Sequence, residues 1–252
     1  MPRIYDLSAT LANYGFDPRP PSIVYWEHKE NVRFYSRLAG VPIDAFPDQM
    51  GLAAEEVHAI THSGTHFDAP WHFGPTSEGK PAKTIDEVPL DWCYGDGVVL
   101  DLRHKKRGET ISVADLEAAL SKIGYTLKPW DIVLLMVLGG DPYLLESDYP
   151  QRHAGLDREG VLWFCDRGVK VLGTDGWGLD VPVSAMAANH RKGVKNAVWP
   201  AHFAGRDREY CHIEKLANLD KLPRPYGFKF AAFPVKIARA SAGWCRAVAI
   251  FE

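Results

Sequence analysis

The chain has 252 residues, of which 46% are hydrophobic, 12% aromatic and 24% charged, and this composition excludes a disordered, collagenous or coiled-coil protein. Its 29 basic and 32 acidic residues give a net charge of −3, which argues against binding of nucleic acid or an acidic membrane as the main task. The longest apolar run covers residues 132–138, whereas a bilayer crossing needs about 20 residues, so no transmembrane helix is expected.

Both ends of the chain are rich in predicted strands. Predicted strands and helices alternate only in the middle third. The clearest helix covers residues 112–123, where apolar side chains recur on one face and Gly124 follows as a stop signal. Short β-branched runs such as 97–102 predict buried strands. The predicted strands are 3–11 (with its loop), 57–60, 97–102, 132–138, 169–173, 197–201, 230–240 and 246–251, and the predicted helices are 27–37, 112–123, 157–167 and 213–219. This pattern indicates one mixed α/β domain over residues 1–252 rather than a doubly wound sheet.

The amino terminus and the cysteines bear on location. The first eight residues, MPRIYDLS, lack the charged-then-apolar profile of a signal peptide, which predicts a cytoplasmic protein. The four cysteines are scattered singly, with no Cys-x-x-Cys pair. They are too sparse for a disulfide framework and lack the spacing of a structural zinc site, so reduced thiols are expected.

A cluster of ligand-type side chains is the strongest functional signal. Three of the ten histidines fall within eleven residues, in the stretch His62-Ser-Gly-Thr-His66-Phe-Asp68-Ala-Pro-Trp-His72. Imidazole nitrogens and carboxylate oxygens are a set that divalent metals accept readily. The four ligand-type residues of this stretch are separated by even numbers of positions, so an extended chain would direct their side chains to one face. They are His62, His66, Asp68 and His72. Burying such a set without partners would be costly, which favours a metal site over ordinary half-buried histidines.

The spacing also predicts a bend. A straight strand would separate the α-carbons of His62 and His66 by about 13 Å, too far for two imidazoles to share one ion. Gly64 is where the chain can bend or bulge, and Pro70 is where the strand can end. The stretch therefore predicts a curved strand around a metal, with His72 over the ion rather than on it.

The pattern His-x-Gly-Thr-His-x-Asp-x-Pro-x-His resembles the signature of the cyclase family of metal-dependent hydrolases, which includes kynurenine formamidases and isatin hydrolases. The resemblance extends over most of the chain, through the segments 6–8, 98–102, 173–180, 216–219 and 233–249. It implies a swivelling β/β/α domain, with mixed sheets and helices on one side. Family members also commonly associate as homodimers or homotetramers, and the segment 12–49 could then cover the pocket of a neighbouring subunit.

The resemblance also assigns roles. It implies that His62, His66 and Asp68 bind a first divalent metal, zinc or manganese, and that His72 is the general acid/base. His202 and Glu214 match a second metal-binding pair, so one or two ions per subunit are expected. From the residues alone, His202 is equally well explained as a core histidine and Glu214 as a helix-start carboxylate.

The residues expected to line the substrate pocket differ from those of the formamidases. These enzymes carry a pocket tryptophan shortly after Asp-Leu-Ser, and no tryptophan stands there in this chain. We expect Phe16, Trp71 and Trp177 to line a pocket for a flat ring or an acyl group, although each is also explained as an ordinary core aromatic.

Two function classes remain on these grounds. The first is a metal-dependent hydrolase of an amide, ester or lactone in a small molecule, with arylformamidase activity as a specific case. The second is a non-catalytic metal or small-ligand binder on the same scaffold, which the presence of His72 disfavours. The chain has no Gly-x-Ser-x-Gly elbow and no Gly-x-Gly-x-x-Gly loop, which argues against a serine hydrolase and a dinucleotide enzyme.

Overall fold

The computed structural model describes residues 1–14, 17–140 and 147–252. These residues form two compact units. One consists of Met1–Leu11 and Thr61–Glu252, and the other of Ala12–Ile60. The single domain predicted over residues 1–252 stays a prediction.

Fifteen strands and six α-helices have defined bounds in the described residues. The helices are α1 His28–Ala39, α2 Pro70–Phe73, α3 Val113–Ile123, α4 Arg158–Cys165, α5 Val183–Arg191 and α6 Pro200–Ala204. The strands are β1 Arg3–Asp6, β2 Ser22–Trp26, β3 Ala54–His58, β4 His66–Asp68, β5 Thr76–Ser77, β6 Lys80–Pro81, β7 Tyr94–Asp101, β8 Thr110–Ile111, β9 Ile132–Met136, β10 Gly155–Leu156, β11 Val171–Thr174, β12 Cys211–Glu214, β13 Tyr226–Ala231, β14 Ala242–Trp244 and β15 Val248–Phe251. Among the described helices, none has the length and apolar character needed to cross a bilayer.

The larger unit is built on a nine-stranded mixed sheet with the order β1-β15-β13-β7-β9-β11-β12-β4-β14. The neighbours from β7 to β12 are parallel, and the strands on either side pair antiparallel. Strands β14 and β15 are separated by only three residues in the chain but lie near opposite ends of this order. The sheet therefore curls until its two ends approach one another.

The helices of the larger unit pack on one face of this sheet. The side chains of α3, α4 and α6 form a buried cluster with one face of β7, β9 and β11, including Leu116, Phe164 and Ala201. The opposite face, with Leu134, Ile213 and Phe230, forms a second cluster inside the curl. The predicted α/β class, with mixed sheets and helices on one side, is confirmed. The alternation predicted for the middle third is also present, since α3, α4 and α6 each connect parallel neighbours.

The smaller unit contains α1 and the antiparallel pair β2 and β3. Helix α1 ends at Ala39 and is capped by Gly40, whose φ of +67° is the left-handed conformation that a glycine adopts at low cost. Many of the unit's apolar side chains are exposed, including Tyr25, Phe34, Leu38 and Leu52.

Three element predictions are wrong. The strand predicted at 197–201 is instead an irregular segment followed by α6, because Trp199 takes a left-handed φ of +53° and Pro200 begins the helix. The helix predicted at 213–219 is absent: its first two residues end strand β12, which lies between β11 and β4 and is buried throughout, and a short 3-10 helix begins only at Leu219. The strand predicted at 230–240 ends at Ala231, as part of β13.

The curved strand predicted for the motif is shorter than expected. Only His66–Asp68 pairs as a strand, a turn at residues 61–65 precedes it, and α2 begins at Pro70. The bend lies at Gly64 as predicted, because its φ of +63° is a left-handed conformation that favours glycine.

Candidate metal centre

The centre of the site lies where β4 pairs antiparallel with β12. His66 stands opposite Glu214, and Asp68 stands opposite His212. Since side chains two residues apart in a strand share a face, this register places all four on the same side of the sheet. All four are buried, and His66, Asp68 and His212 are completely inaccessible.

His62 reaches this centre from the turn. Its Nδ1 lies 2.9 Å from Asp68 Oδ1, and its Nε2 lies 3.0 Å from the hydroxyl of Ser241. His66 Nε2 lies 3.4 Å from the same Asp68 Oδ1 and 3.6 Å from Glu214 Oε2. The structure therefore brings the predicted first set, His62, His66 and Asp68, around one point.

His202 approaches from the other side, on the short helix α6. Asp180 orients it, because this buried carboxylate accepts hydrogen bonds from His202 Nδ1 and from the backbone N–H groups of Ala201 and His202. His202 Nε2 lies 3.6 Å from Glu214 Oε1. Glu214 therefore contacts both sides of the site, with Oε2 toward His66 and Oε1 toward His202.

His212 is a member of the site that the sequence analysis missed. Its Nε2 lies 2.9 Å from Asp68 Oδ2 and 3.2 Å from Glu214 Oε1. A helix predicted from Ile213 onward excludes this residue, whereas a strand over 211–214 would have placed His212 and Glu214 on one face. The signal that identifies His212 is the strand rule that side chains two residues apart share a face, which places His212 beside Glu214.

His72 lies at the open edge of the site, on α2. Its ring centroid is 4.1 Å from that of His62 and 5.3 Å from that of His202, and the residue is exposed. One nitrogen each of His62 and His72 and one oxygen of Asp68 all lie within 4.8 Å of one another. Distance alone therefore allows His72 to be a ligand as well as a proton carrier.

The pKa values reflect burial opposed by close opposite charge. Burial lowers the pKa of His66 to about 4. The His72 residue reaches the surface, but its ring packs against His62 and His202, and the resulting desolvation lowers the pKa of His72 to about 3. Burial also acts to lower the pKa of His212, but contacts with the Asp68 and Glu214 carboxylates outweigh it and raise that pKa to about 10. Burial acts to raise the pKa values of both carboxyl groups, but the surrounding imidazoles outweigh it and hold both values low.

The donor set fits a divalent metal. His66 Nε2, His212 Nε2 and both oxygens of Asp68 are buried without a hydrogen bond of normal geometry, an expensive arrangement unless something binds them. The remaining ring nitrogens of the buried histidines do have partners, namely the carbonyl of Gly64, the Asp180 carboxylate and the Tyr210 hydroxyl. Partners of this kind fix the orientation of metal-binding imidazoles.

Two of the three predicted substrate-side residues, Trp71 and Trp177, lie in the described part of the chain. Trp71 precedes His72 on α2 and is 44% exposed. The ring of Trp177 lies 5.2 Å from the ammonium group of Lys215. Phe16 lies outside the described residues. Asp175, which follows β11, has a structural task, since its carboxylate accepts hydrogen bonds from the backbone N–H groups of residues 137–139.

Comparison with known proteins gives a consistent assignment. The profile of a family described as putative cyclase matches residues 5–181. The kynurenine formamidase of Erythrobacter litoralis is 30% identical over 188 residues, which are 75% of this chain and 72% of that protein. The kynurenine formamidase of Salinibacter ruber is 26% identical over 207 residues, 80% of this chain and 81% of that protein. The structure of isatin hydrolase A from Ralstonia solanacearum superposes with a TM-score of 0.75 at 22% identity, covering 100% of this chain and 92% of that one.

Proposed function

The chain belongs to the cyclase family of metal-dependent hydrolases, and we propose that it hydrolyses an amide, ester or lactone bond of a small molecule. The observation that carries the proposal is the buried group of His66, Asp68 and Glu214. It directs nitrogen and oxygen atoms to one point, where His66 Nε2 and both oxygens of Asp68 lack a hydrogen bond of normal geometry. A bound cation would stabilise such a cluster, because it would pair with buried nitrogen and oxygen atoms that are otherwise costly to remove from water.

In this proposal His62, His66 and Asp68 bind one ion, and His202 and Glu214 belong to a second position. The two oxygens of Asp68 support this division, because Oδ1 faces His62 and His66 whereas Oδ2 faces the β12 side of the site. Nitrogen and oxygen ligands suit both zinc and manganese. A bound divalent ion polarises a carbonyl oxygen and lowers the pKa of a coordinated water toward neutrality.

His72 is the proposed general acid/base. A neutral imidazole carries one ring nitrogen with a free lone pair, and this nitrogen is able to take the proton of the attacking water. The same nitrogen then donates that proton to the leaving nitrogen or oxygen. The exposed position of His72 beside His62 places this proton transfer at the open edge of the site.

Amides of aromatic compounds are the proposed substrate class. The two curated relatives are named kynurenine formamidases, and the structural relative is named an isatin hydrolase. Trp71, next to His72 and partly exposed, is a candidate surface for a flat ring. Phe16 and Trp177 remain proposed lining residues. The proposed cellular location remains the cytoplasm.

The direct test is turnover. The purified protein, stripped of metal and then loaded with Zn²⁺ or Mn²⁺, is assayed against N-formylkynurenine, isatin and a panel of esters and lactones. We expect metal-dependent hydrolysis of at least one amide, and we expect Asp68→Ala to lose metal content and activity together. A protein that binds metal but turns over none of the panel would favour the non-catalytic binder. Full activity in metal-free protein would exclude the proposed mechanism.

A further inference from the structure

The β12 side of the site contains one imidazole more than the proposed function requires. Asp68, His202, His212 and Glu214 each offer one ligand atom to a single group, and these four atoms all lie within 4.8 Å of one another. All four residues are buried. This group is separate from the one formed by His62, Asp68 and His72, with Asp68 common to both.

The spacing of these atoms suits one tetrahedral ion. Ligand bonds of 2.0–2.1 Å place the ligand atoms of a tetrahedral zinc site about 3.3 Å apart. His212 Nε2 lies 2.9 Å from Asp68 Oδ2 and 3.2 Å from Glu214 Oε1, and His202 Nε2 lies 3.6 Å from Glu214 Oε1. Two of these three separations are shorter and one is longer than the ligand–ligand distance of about 3.3 Å in a tetrahedral zinc site.

The hydrogen bonds around His212 indicate which nitrogen is free. The Tyr210 hydroxyl donates its one hydrogen to the carbonyl of Ala201, at 3.0 Å. It can therefore only accept from His212 Nδ1, which lies 3.2 Å away. A neutral His212 thus carries its hydrogen on Nδ1 and directs the lone pair of Nε2 at two carboxylates. Nothing but a cation or a proton makes that arrangement favourable.

We propose that His212 is a direct protein ligand of the second ion, completing a four-ligand set with Asp68, His202 and Glu214. The inference rests on the proposed function only in requiring that the site binds metal. Four protein ligands in a buried tetrahedral site leave no open position, which is the character of a closed metal site. An ion on this side would hold Asp68 and Glu214 in place, whereas His62 and the exposed His72 lie on the side of the site that water and substrate can reach.

The test measures metal binding rather than activity. Metal-free wild-type protein is titrated with Zn²⁺ by calorimetry, and bound metal is counted by mass spectrometry after dialysis. We expect two equivalents per chain. In His212→Gln and His212→Leu the first equivalent should remain, and the second should bind more than about 100-fold more weakly, a larger loss than removal of a hydrogen-bond partner causes. Tyr210→Phe should weaken the second equivalent by about 10–100-fold without abolishing it.

His153→Gln is the matched control, because His153 is also buried, its Nε2 also lacks a hydrogen-bond partner, and it belongs to neither ligand group. It should bind both ions as the wild type does. Two equivalents of unchanged affinity in His212→Gln would overturn the proposal.

A wild-type crystal with zinc provides a second measurement that needs no variant. Anomalous maps at the zinc edge should show an ion about 2.0–2.1 Å from His212 Nε2. A single ion near His62 and His66, with none at His212, would overturn this inference and leave the proposed hydrolase intact. A protein that binds no ion under any condition would instead overturn the proposed function itself.

Discussion

His72 differs from the other histidines of the centre in its surroundings. The rings of His66, His202 and His212 are buried, whereas His72 is exposed on a short helix beyond Pro70. Its ring lies against His62 and His202. A side chain in this position can contact a substrate that enters from solvent.

We predict that His72→Asn retains its metal and loses most of its turnover. Removing a ligand abolishes a metal site, whereas removing a proton carrier slows only the chemical step, by about 10²–10⁴-fold. The measurement is kcat together with metal content after dialysis. The fall in kcat should be similar across pH 6–8, because the pKa of His72, about 3, lies below the pH at which the metal is released.

Trp71→Phe is a useful companion variant, because it changes the neighbouring side chain on α2 and leaves the imidazole in place. It should keep the shape of the pH–rate profile. A metal-free His72→Asn protein would make His72 a ligand, and the proton transfer would then belong to another residue.

Acid should release the metal, because protons compete with the ion for the imidazoles. Burial acts to lower the pKa of His62, but the neighbouring Asp68 carboxylate outweighs it and raises this pKa above its usual 6.5. A raised pKa means that the metal-free imidazole holds its proton to higher pH, so metal affinity falls as pH falls through neutrality. We expect the Zn²⁺ affinity measured by calorimetry to fall between pH 8 and 6, and activity to be lost below about pH 6. Equal affinity at pH 8 and 5.5 would contradict this.

At the scale of elements, the short strand β10 supports the segment that carries Asp180. Leu156 forms a parallel bridge with Asp180 and its N–H donates to the carbonyl of Leu179. A Cβ added to Gly155 would lie 2.1 Å from the carbonyl carbon of Asp180 and 2.2 Å from Val181 N. Those are backbone atoms, which have little freedom to move aside.

Gly155→Ala should therefore displace Asp180 and with it the orientation of His202. We expect a loss of about 1–3 kcal/mol in the free energy of unfolding, as for other overpacked sites, together with weaker metal binding. Urea denaturation and a zinc titration measure the two effects. Gly160→Ala is the control, since the nearest contact of its new Cβ is the flexible end of Leu156, at 2.8 Å, rather than backbone, and metal binding should be unchanged.

At the scale of the whole molecule, the exposed apolar side chains of the smaller unit suggest a partner copy. Leu38 is 69% exposed and Leu52 is 67% exposed in the single chain. Exposed apolar surface becomes buried on association when it forms a contiguous patch, and we expect the exposed leucines of this unit to lie in such a patch. This supports the homodimer or homotetramer expected from the family resemblance.

We predict that light scattering at micromolar concentration gives a mass of at least twice the 28.1 kDa of one chain. Replacing Leu38 and Leu52 together by Glu should lower that mass, because charges are costly to bury at an interface. The control is Leu90→Glu, at a leucine of the larger unit that is also 67% exposed. A wild-type monomer would rule the association out.

The local features could be predicted from the order of residues in the chain. The ligand residues His62, His66 and Asp68 lie close together in the chain, so their alternation and the bend at Gly64 are visible without any partner strand. The helix at 112–123 was predictable for the same reason, since its apolar period and the Ser112 cap are contained in one segment.

The tertiary structure alone decided which strands meet. Periodicity shows that a segment is buried but not what it pairs with, and four buried residues such as 211–214 satisfy a strand or a helix equally well. The antiparallel register of β12 with β4 places Glu214 opposite His66 and His212 opposite Asp68, across a separation of more than 140 residues. The second half of the centre depends on that non-local pairing, and so His212 became visible only in the folded chain.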